Sequence, residues 1–350
     1  MSSVIASTRF SVLDRSRTRE GHETAGALRD TVDLAREAEA LGFHRFWVSE
    51  HHGVPGVAGS APTVLAAAVA AATSTIRVGT GGVMLPNHRP LVVAEQFGVL
   101  TSLFPGRIDM GLGRSVGFTD GVRRALGHGK EDAEDFPGRL TELLGWIDGT
   151  QQAHPGVHAH PAEGLRIPAY VLAIGEGAAV AAAAGLPLVI GDLRGRDKVL
   201  RAIEVYRRDF RPSARAERPE VIVAGTVAVA GTEEAARRLL VPEAWAMAYS
   251  RTHGDFPPLA PAEAIERRTM TAKERELYER GLDGHIHGTE EQVTEQLERA
   301  IKETGADEVL VTTSTYDRGA LVDSLRRLAG ITRPQARGDE RTRQRGLDVR

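Results

Sequence analysis

From about residue 9 the chain alternates short runs rich in β-branched residues with longer segments whose apolar positions recur at helical spacing. That alternation is the signature of repeated βα units, because parallel strands can be joined only by a long crossover, usually a helix. It predicts strands at 10–13, 46–49, 76–85, 107–112, 169–174, 187–190, 221–230 and 308–313. Helices are predicted at about 25–41, 62–73, 91–103, 134–147, 176–184, 197–209, 232–250 and 290–304, with a last one at 317–329. In the first of these, Leu28, Val32, Ala35, Ala38 and Leu41 share one face, and Gly42 follows as the stop.

Eight strands, each followed by a helix, predict an α/β fold of the closed (β/α)8 TIM-barrel kind, whose functional groups gather at the C-terminal ends of the strands. A doubly wound open sheet is the alternative, but no GxGxxG fingerprint follows the first strand and no Walker sequence occurs. One barrel domain is read over 1–332. Two stretches break the rhythm, 151–166 and 253–288, the latter holding Pro257, Pro258 and Pro261; both read as insertions near the barrel mouth. The arginine-rich tail 333–350 has too few apolar residues to offset the entropy of ordering it, and reads as disordered or draped on a neighbouring subunit.

Composition narrows the function classes. With 350 residues, 26% charged, and a formal net charge of -3, the chain has no general attraction for nucleic acid or an anionic membrane, which favours a small-molecule partner. The absence of cysteine excludes disulfides, thiolate metal sites and a cysteine nucleophile, and fits a cytoplasmic location. No apolar run approaches the roughly 20 residues that span a bilayer, and no signal peptide is read at the N-terminus. Only four of the 44 basic residues are lysines, a bias that reflects a GC-rich genome rather than forty separate guanidinium functions.

The chemistry-bearing residues sit at predicted strand ends. Glu50-His51-His52 follows an apolar strand and precedes the loop Gly53-Val54-Pro55-Gly56. A histidine there could act as a general base or donate to developing negative charge, or it could cap the strand or pair with Glu50. No second carboxylate–histidine cluster at ligand spacing is evident, so no metal site is read. Gly79-Thr80-Gly81-Gly82 interrupts a β-branched strand, which marks either close approach by a ligand such as a flat aromatic ring or a packing kink. Arg114, after the fourth strand, could make a bidentate contact to a phosphate. The turn Gly175-Glu176-Gly177 could offer backbone N–H groups and a helix dipole to a phosphate, although a plain strand-to-helix turn needs the same glycines. Thr289 reads as an N-cap.

Taken together, WVSEHHGVPG (47–56), IRVGTGGVMLPNHRPLVVAEQF (76–97), PGRIDMGLGRS (105–115), GTEEQVTEQL (288–297), GADEVLVTT (305–313) and Tyr316-Asp317 resemble the luciferase-like monooxygenase family over 10–331. The resemblance implies a barrel, commonly a homodimer, that receives reduced FMN from a separate flavin reductase and uses dioxygen to oxygenate a small organic substrate. It makes His51 the active-site histidine and places a non-proline cis peptide at Gly81-Gly82 beneath the flavin ring. Met84 falls within the same cofactor-binding run, Arg114 becomes a phosphate ligand, and Arg139 a second phosphate candidate. A family common in secondary metabolism points to an aromatic polyketide or similar natural product. The chain departs from similar members after the fifth strand, where Ala173-Ile174-Gly175-Glu176-Gly177 replaces the usual phosphate-binding serines. The sixth strand ends in Val189-Ile190-Gly191-Asp192-Leu193, without the aromatic or histidine-rich sequence of many relatives. Two other readings stand beside the leading one: an F420-dependent dehydrogenase of the same barrel family, and a non-catalytic flavin-binding or partner subunit.

Overall fold

A computed structural model of the protein describes residues 4–175, 177–191 and 196–332. Its eight barrel strands are β1 (Arg9–Asp14), β2 (Arg45–Val48), β3 (Arg77–Thr80), β4 (Ile108–Gly113), β5 (Ala169–Ala173), β6 (Leu188–Ile190), β7 (Val221–Gly225) and β8 (Glu308–Val311). All pair in parallel, and β3 closes the ring on β4 through Val78↔Ile108 and Gly79↔Asp109. The sheet is thus the closed barrel that the βα alternation predicts.

The period of two along each strand sorts side chains between two cores. On β2, Phe46 and Val48 join the large apolar layer beneath the surrounding helices, whereas Trp47 joins Leu13, Tyr170, Val189, Ile222, Ala224 and Leu310 inside the barrel. The base of the barrel interior is charged. Arg45, 1% exposed, donates to Asp109 at 2.8 Å, Tyr170 Oη at 2.9 Å and Glu308 at 2.9 Å. A buried guanidinium survives there because every arm meets an anion or a hydroxyl. The bulk of Trp47 also explains Gly79, where an added Cβ would lie 2.8 Å from Trp47 Nε1 and 2.3 Å from the Asp109 carbonyl oxygen.

The helices follow local sequence rules. Helix α1 (Thr24–Ala40) stops before Gly42, whose φ of +76° suits glycine. The helix Glu290–Thr304 starts at Thr289 in a capping box with Gln292, buries Val293, Leu297 and Ile301, and ends at Gly305 with φ +57°.

Several expected boundaries differ. The run 76–85 is not one strand: β3 ends at Thr80, pairing resumes at Val83–Met84, and Leu85–Asn87 forms a single 3-10 turn. The run 221–230 also divides, because Val227–Val229 leaves the barrel and pairs with Ile286–Gly288. Segment 253–288 carries helices Ala262–Glu266 and Ala272–Leu282, folded over the long helix Glu233–His253 around Leu240, Trp245, Ile265 and Leu282. Its Gly281, Gly284 and His285 do reach the barrel mouth. Segment 151–166 does not: it leads from a helix end into the start of β5, so it lies at the opposite, N-terminal face. Arg139 belongs to helix Phe136–Asp148, and the tail 333–350 lies outside the described residues.

Candidate active site

A cavity of about 650 Å³ opens at the C-terminal ends of the barrel strands. Leu13, Leu172, Val189, Ala224 and Leu310 form its apolar floor; these are the uppermost inward positions of their strands. Glu243, Ala244 and Met247, from one face of helix Glu233–His253, line its wall, and Gly281, Gly284 and His285 complete it. Among the described residues its charged lining is Arg15, Arg114, Arg251 and Glu243.

The strand-end run Ser49-Glu50-His51-His52 divides its roles. Glu50 is 1% exposed and accepts hydrogen bonds from the Met84 backbone N–H at 2.9 Å, Asn87 Nδ2 at 3.2 Å, His52 Nε2 at 2.8 Å and His88 Nε2 at 3.0 Å. Burial alone would raise this carboxyl, but the donors, His52 and His88 foremost, outweigh it and hold the group down to about 2. The ligand atoms of Glu50, His52 and His88 lie within 4.8 Å of one another, a spacing that hydrogen bonds between imidazole and carboxylate already account for. The pairing reading of the two histidines therefore holds for His52.

His51 stands apart from that hub. Its backbone N–H donates to the Gly59 carbonyl at 2.9 Å, and its Nδ1 lies 3.2 Å from Ser49 Oγ. Burial and then the charges of Arg15 and Arg17 push the imidazole down to about 4, so it is neutral at working pH. A neutral imidazole in this place can accept a proton or donate one hydrogen bond.

Arg15 and Arg17 come from the segment just after β1 and converge on Glu243, at 2.9 and 3.1 Å respectively. Burial would raise Glu243, but the two guanidiniums win and keep it ionised. Arg17 also donates to the Gly56 carbonyl at 2.5 Å and the Pro257 carbonyl at 3.4 Å, while its guanidinium carbon stands 4.3 Å over the Phe256 ring. Gly56 N–H donates to the Phe256 carbonyl at 2.7 Å. These contacts fasten the loop after His52 beneath segment 253–260.

The expected cofactor residues fall in three places. The peptide Gly81-Gly82 is cis; a Cβ on Gly81 would meet Leu13 Cδ1 at 2.7 Å, and one on Gly82 the Gly111 carbonyl oxygen at 2.8 Å. Met84 and Arg114 line the cavity, beside Gly113 and Ser115. Gly175, with φ +71°, and Gly177, which opens helix Gly177–Ala184, flank the same rim, next to the lining residues Ala173 and Ile174. Glu176 lies outside the described residues. Arg139 donates to the His88 carbonyl at 3.1 Å and faces Asp135 at 3.3 Å, and it is not among the cavity-lining residues described.

Sequence reasoning did not reach Arg15, Arg17, Glu243 or His88. Arg15 carries a usable signal, its position at the end of a barrel strand. Glu243 carries none, because it reaches the site from a helix more than two hundred residues along the chain.

These residues fit a flavin mononucleotide. The cavity is large enough for a tricyclic ring, Gly81 and Gly113 keep Cβ atoms off Leu13 and Met84, and Arg114 brings a cation to its lining.

A family model described as luciferase-like monooxygenase matches residues 8–308. A protein of Escherichia coli (strain K12) named luciferase-like monooxygenase is 36% identical over 319 residues, covering 90% of this chain and 94% of its own. YvbT of Bacillus subtilis (strain 168) is 36% identical over 329 residues, covering 93% and 96%. Among solved structures, apo-MsnO8 superposes with a TM-score of 0.84 at 30% identity, over 94% of this chain and 98% of its own.

Proposed function

The chain belongs to the luciferase-like monooxygenase family, and on that premise we propose that it takes reduced FMN from a separate reductase and uses dioxygen to oxygenate a small organic substrate. The observation that carries this reading is the cavity at the strand ends, with its apolar floor and its lining by Met84, Arg114 and Arg15, the last of these close enough to act on the part-buried His51. Bound reduced FMN would supply the electrons that activate dioxygen.

The protein's own residues do the rest. Arg114 holds the phosphate, assisted by the backbone N–H groups of Gly175 and Gly177. The Gly81-Gly82 segment lets the ring lie against the strand. His51 takes or returns the proton of the group being oxidised, a role for which neutrality is required. The apolar floor and the fastened segment 253–260 keep water from the reacting centre. We further propose a homodimer through helices Pro62–Ala72 and Pro90–Leu103, which leave Val64 70% and Leu103 64% exposed beside Val92 and Val99.

The test is turnover with an FMN reductase and NADH over a panel of arylalkyl substrates, followed by mass spectrometry. Incorporation of one oxygen atom from labelled dioxygen supports the reading. Substrate dehydrogenation without oxygen incorporation points to the dehydrogenase branch instead.

A further inference from the structure

The cluster beside His51 holds more positive charge than it uses. Two guanidiniums, Arg15 and Arg17, face a single carboxylate, Glu243. Arg17 is spent: its side chain is 2% exposed, its Nε donates to Glu243, and its two terminal nitrogens donate to the Gly56 and Pro257 carbonyls. It does not line the cavity, and one buried arginine suffices to balance one buried carboxylate.

Arg15 is not spent. It lines the cavity with 24% of its side chain exposed. Its Nη1 faces Glu243, its Nη2 makes only long contacts, to the Thr312 carbonyl at 3.3 Å and Ser314 Oγ at 3.2 Å, and its Nε–H, itself buried, has no hydrogen-bond partner among the described residues. A guanidinium presents five N–H donors in a planar fork and is satisfied best by a planar, bidentate anion. The neutral His51 next to it competes for no such anion.

The barrel order separates this cation from the one assigned to the cofactor. Arg15 follows β1 and Arg114 follows β4, and three strand-to-strand steps divide them around the ring by the shorter path. Between them lies the apolar floor of Leu13, Leu172, Val189, Ala224 and Leu310.

We propose that Arg15 is an anion-binding subsite in the cavity wall and that the substrate is an apolar molecule ending in a carboxylate, which Arg15 clamps with its body on that floor. Glu243, anchored by Arg17, sets the strength of the clamp by sharing Arg15. The identification of this anion as a substrate group rests on the monooxygenase reading; the subsite itself does not.

The test is calorimetric titration of the full-length protein, with and without FMN, against 3-phenylpropanoate and its neutral amide, 3-phenylpropanamide. The acid binds about tenfold or more tightly than the amide, the value of one charge-assisted contact. Arg15→Met erases that preference, Arg15→Lys keeps part of it, and Glu243→Gln widens the preference for the acid over the amide. Circular dichroism establishes that each variant is folded, and the variants carry opposite signs, so a general loss of structure cannot mimic the pattern. Equal binding of acid and amide, no binding of the acid, or a preference that persists in Arg15→Met overturns the proposal. If Arg15→Met instead weakens reduced FMN and leaves the acid preference intact, the arginine serves the flavin and not the substrate. Failure to retain FMN would refute the functional reading alone, since the flavin-free titration still reports on the subsite.

Discussion

The Glu50 carboxylate accepts the Met84 backbone N–H at 2.9 Å, joining the end of β2 to the segment that follows the Gly81-Gly82 peptide. Through this contact a buried acid fixes the height at which Met84 enters the cavity wall. The same carboxylate orients His52 and His88, so one side chain sets three neighbours.

Glu50→Ala therefore leaves a part-buried N–H and two part-buried imidazoles without their acceptor, and should destabilise the protein by roughly 1–3 kcal/mol. Glu50→Gln keeps an acceptor but loses the charge and should cost less. Chemical denaturation of the two variants checks the order; equal stability of Glu50→Ala and wild type would remove Glu50 from this role.

Gly82→Ala places a methyl group 2.8 Å from the Gly111 carbonyl oxygen and 3.1 Å from two backbone carbons of β4. Backbone cannot step aside as a side-chain tip can, so β3 and β4 must separate, at a cost of about 1–3 kcal/mol. Gly81→Ala meets Leu13 Cδ1 at 2.7 Å, a more yielding neighbour that forms the cavity floor. Thermal melts should rank Gly82→Ala as the less stable of the two, with Gly81→Ala losing flavin affinity out of proportion to its stability.

How much of this was legible in the sequence follows from where each signal lives. Strand and helix order, Gly42 and Thr289 are written in local patterns, and the structure places them as expected. The break of the third strand at Thr80 is half-legible, since Gly79 to Gly82 mark an interruption without showing that Asp109, Trp47 and Gly111 crowd those glycines. Arg15, Arg17 and Glu243 meet across distant segments, and in a chain with so few lysines no single arginine stands out. The split of 221–230 was hidden because Val227–Val229 is as β-branched as a barrel strand; only its partner Ile286–Gly288 draws it away.

His51 should titrate far below an ordinary histidine. Its value falls from 6.5 to about 4 on folding, so the unfolded chain binds this proton more tightly than the folded one. The stability this difference contributes is fully present above pH 6.5 and is lost as pH falls from there through about 4. Turnover should accordingly show no inflection near 6.5 from this residue. Imidazole resonances assigned with His51→Gln check the value by NMR; a midpoint near 6.5 would contradict the burial and the two-arginine field described above.

His51→Ala should lower turnover by about 10²–10⁴ while flavin affinity stays nearly unchanged, as expected for a group that moves a proton. Rapid-mixing kinetics at saturating reduced FMN separate the two quantities. Unchanged turnover would return His51 to a purely structural role.

Arg114→Ala should do the reverse. Loss of one charge-assisted contact to a phosphate weakens FMN by roughly 10–100-fold, with turnover at saturating FMN largely kept. Riboflavin, which lacks the phosphate, should bind wild type and variant alike, so an equal loss for both ligands would place Arg114 elsewhere in the site.

The cavity above Leu13 and Met84 is proposed as a reduced-FMN site. Anaerobic titration of the purified protein with reduced FMN, oxidised FMN and reduced F420, followed by absorbance and fluorescence, tests it most directly. Reduced FMN should bind saturably at one site per chain, more weakly in Arg114→Ala, with F420 bound more weakly still than FMN. Binding of F420 alone, or of none of the three, would contradict it.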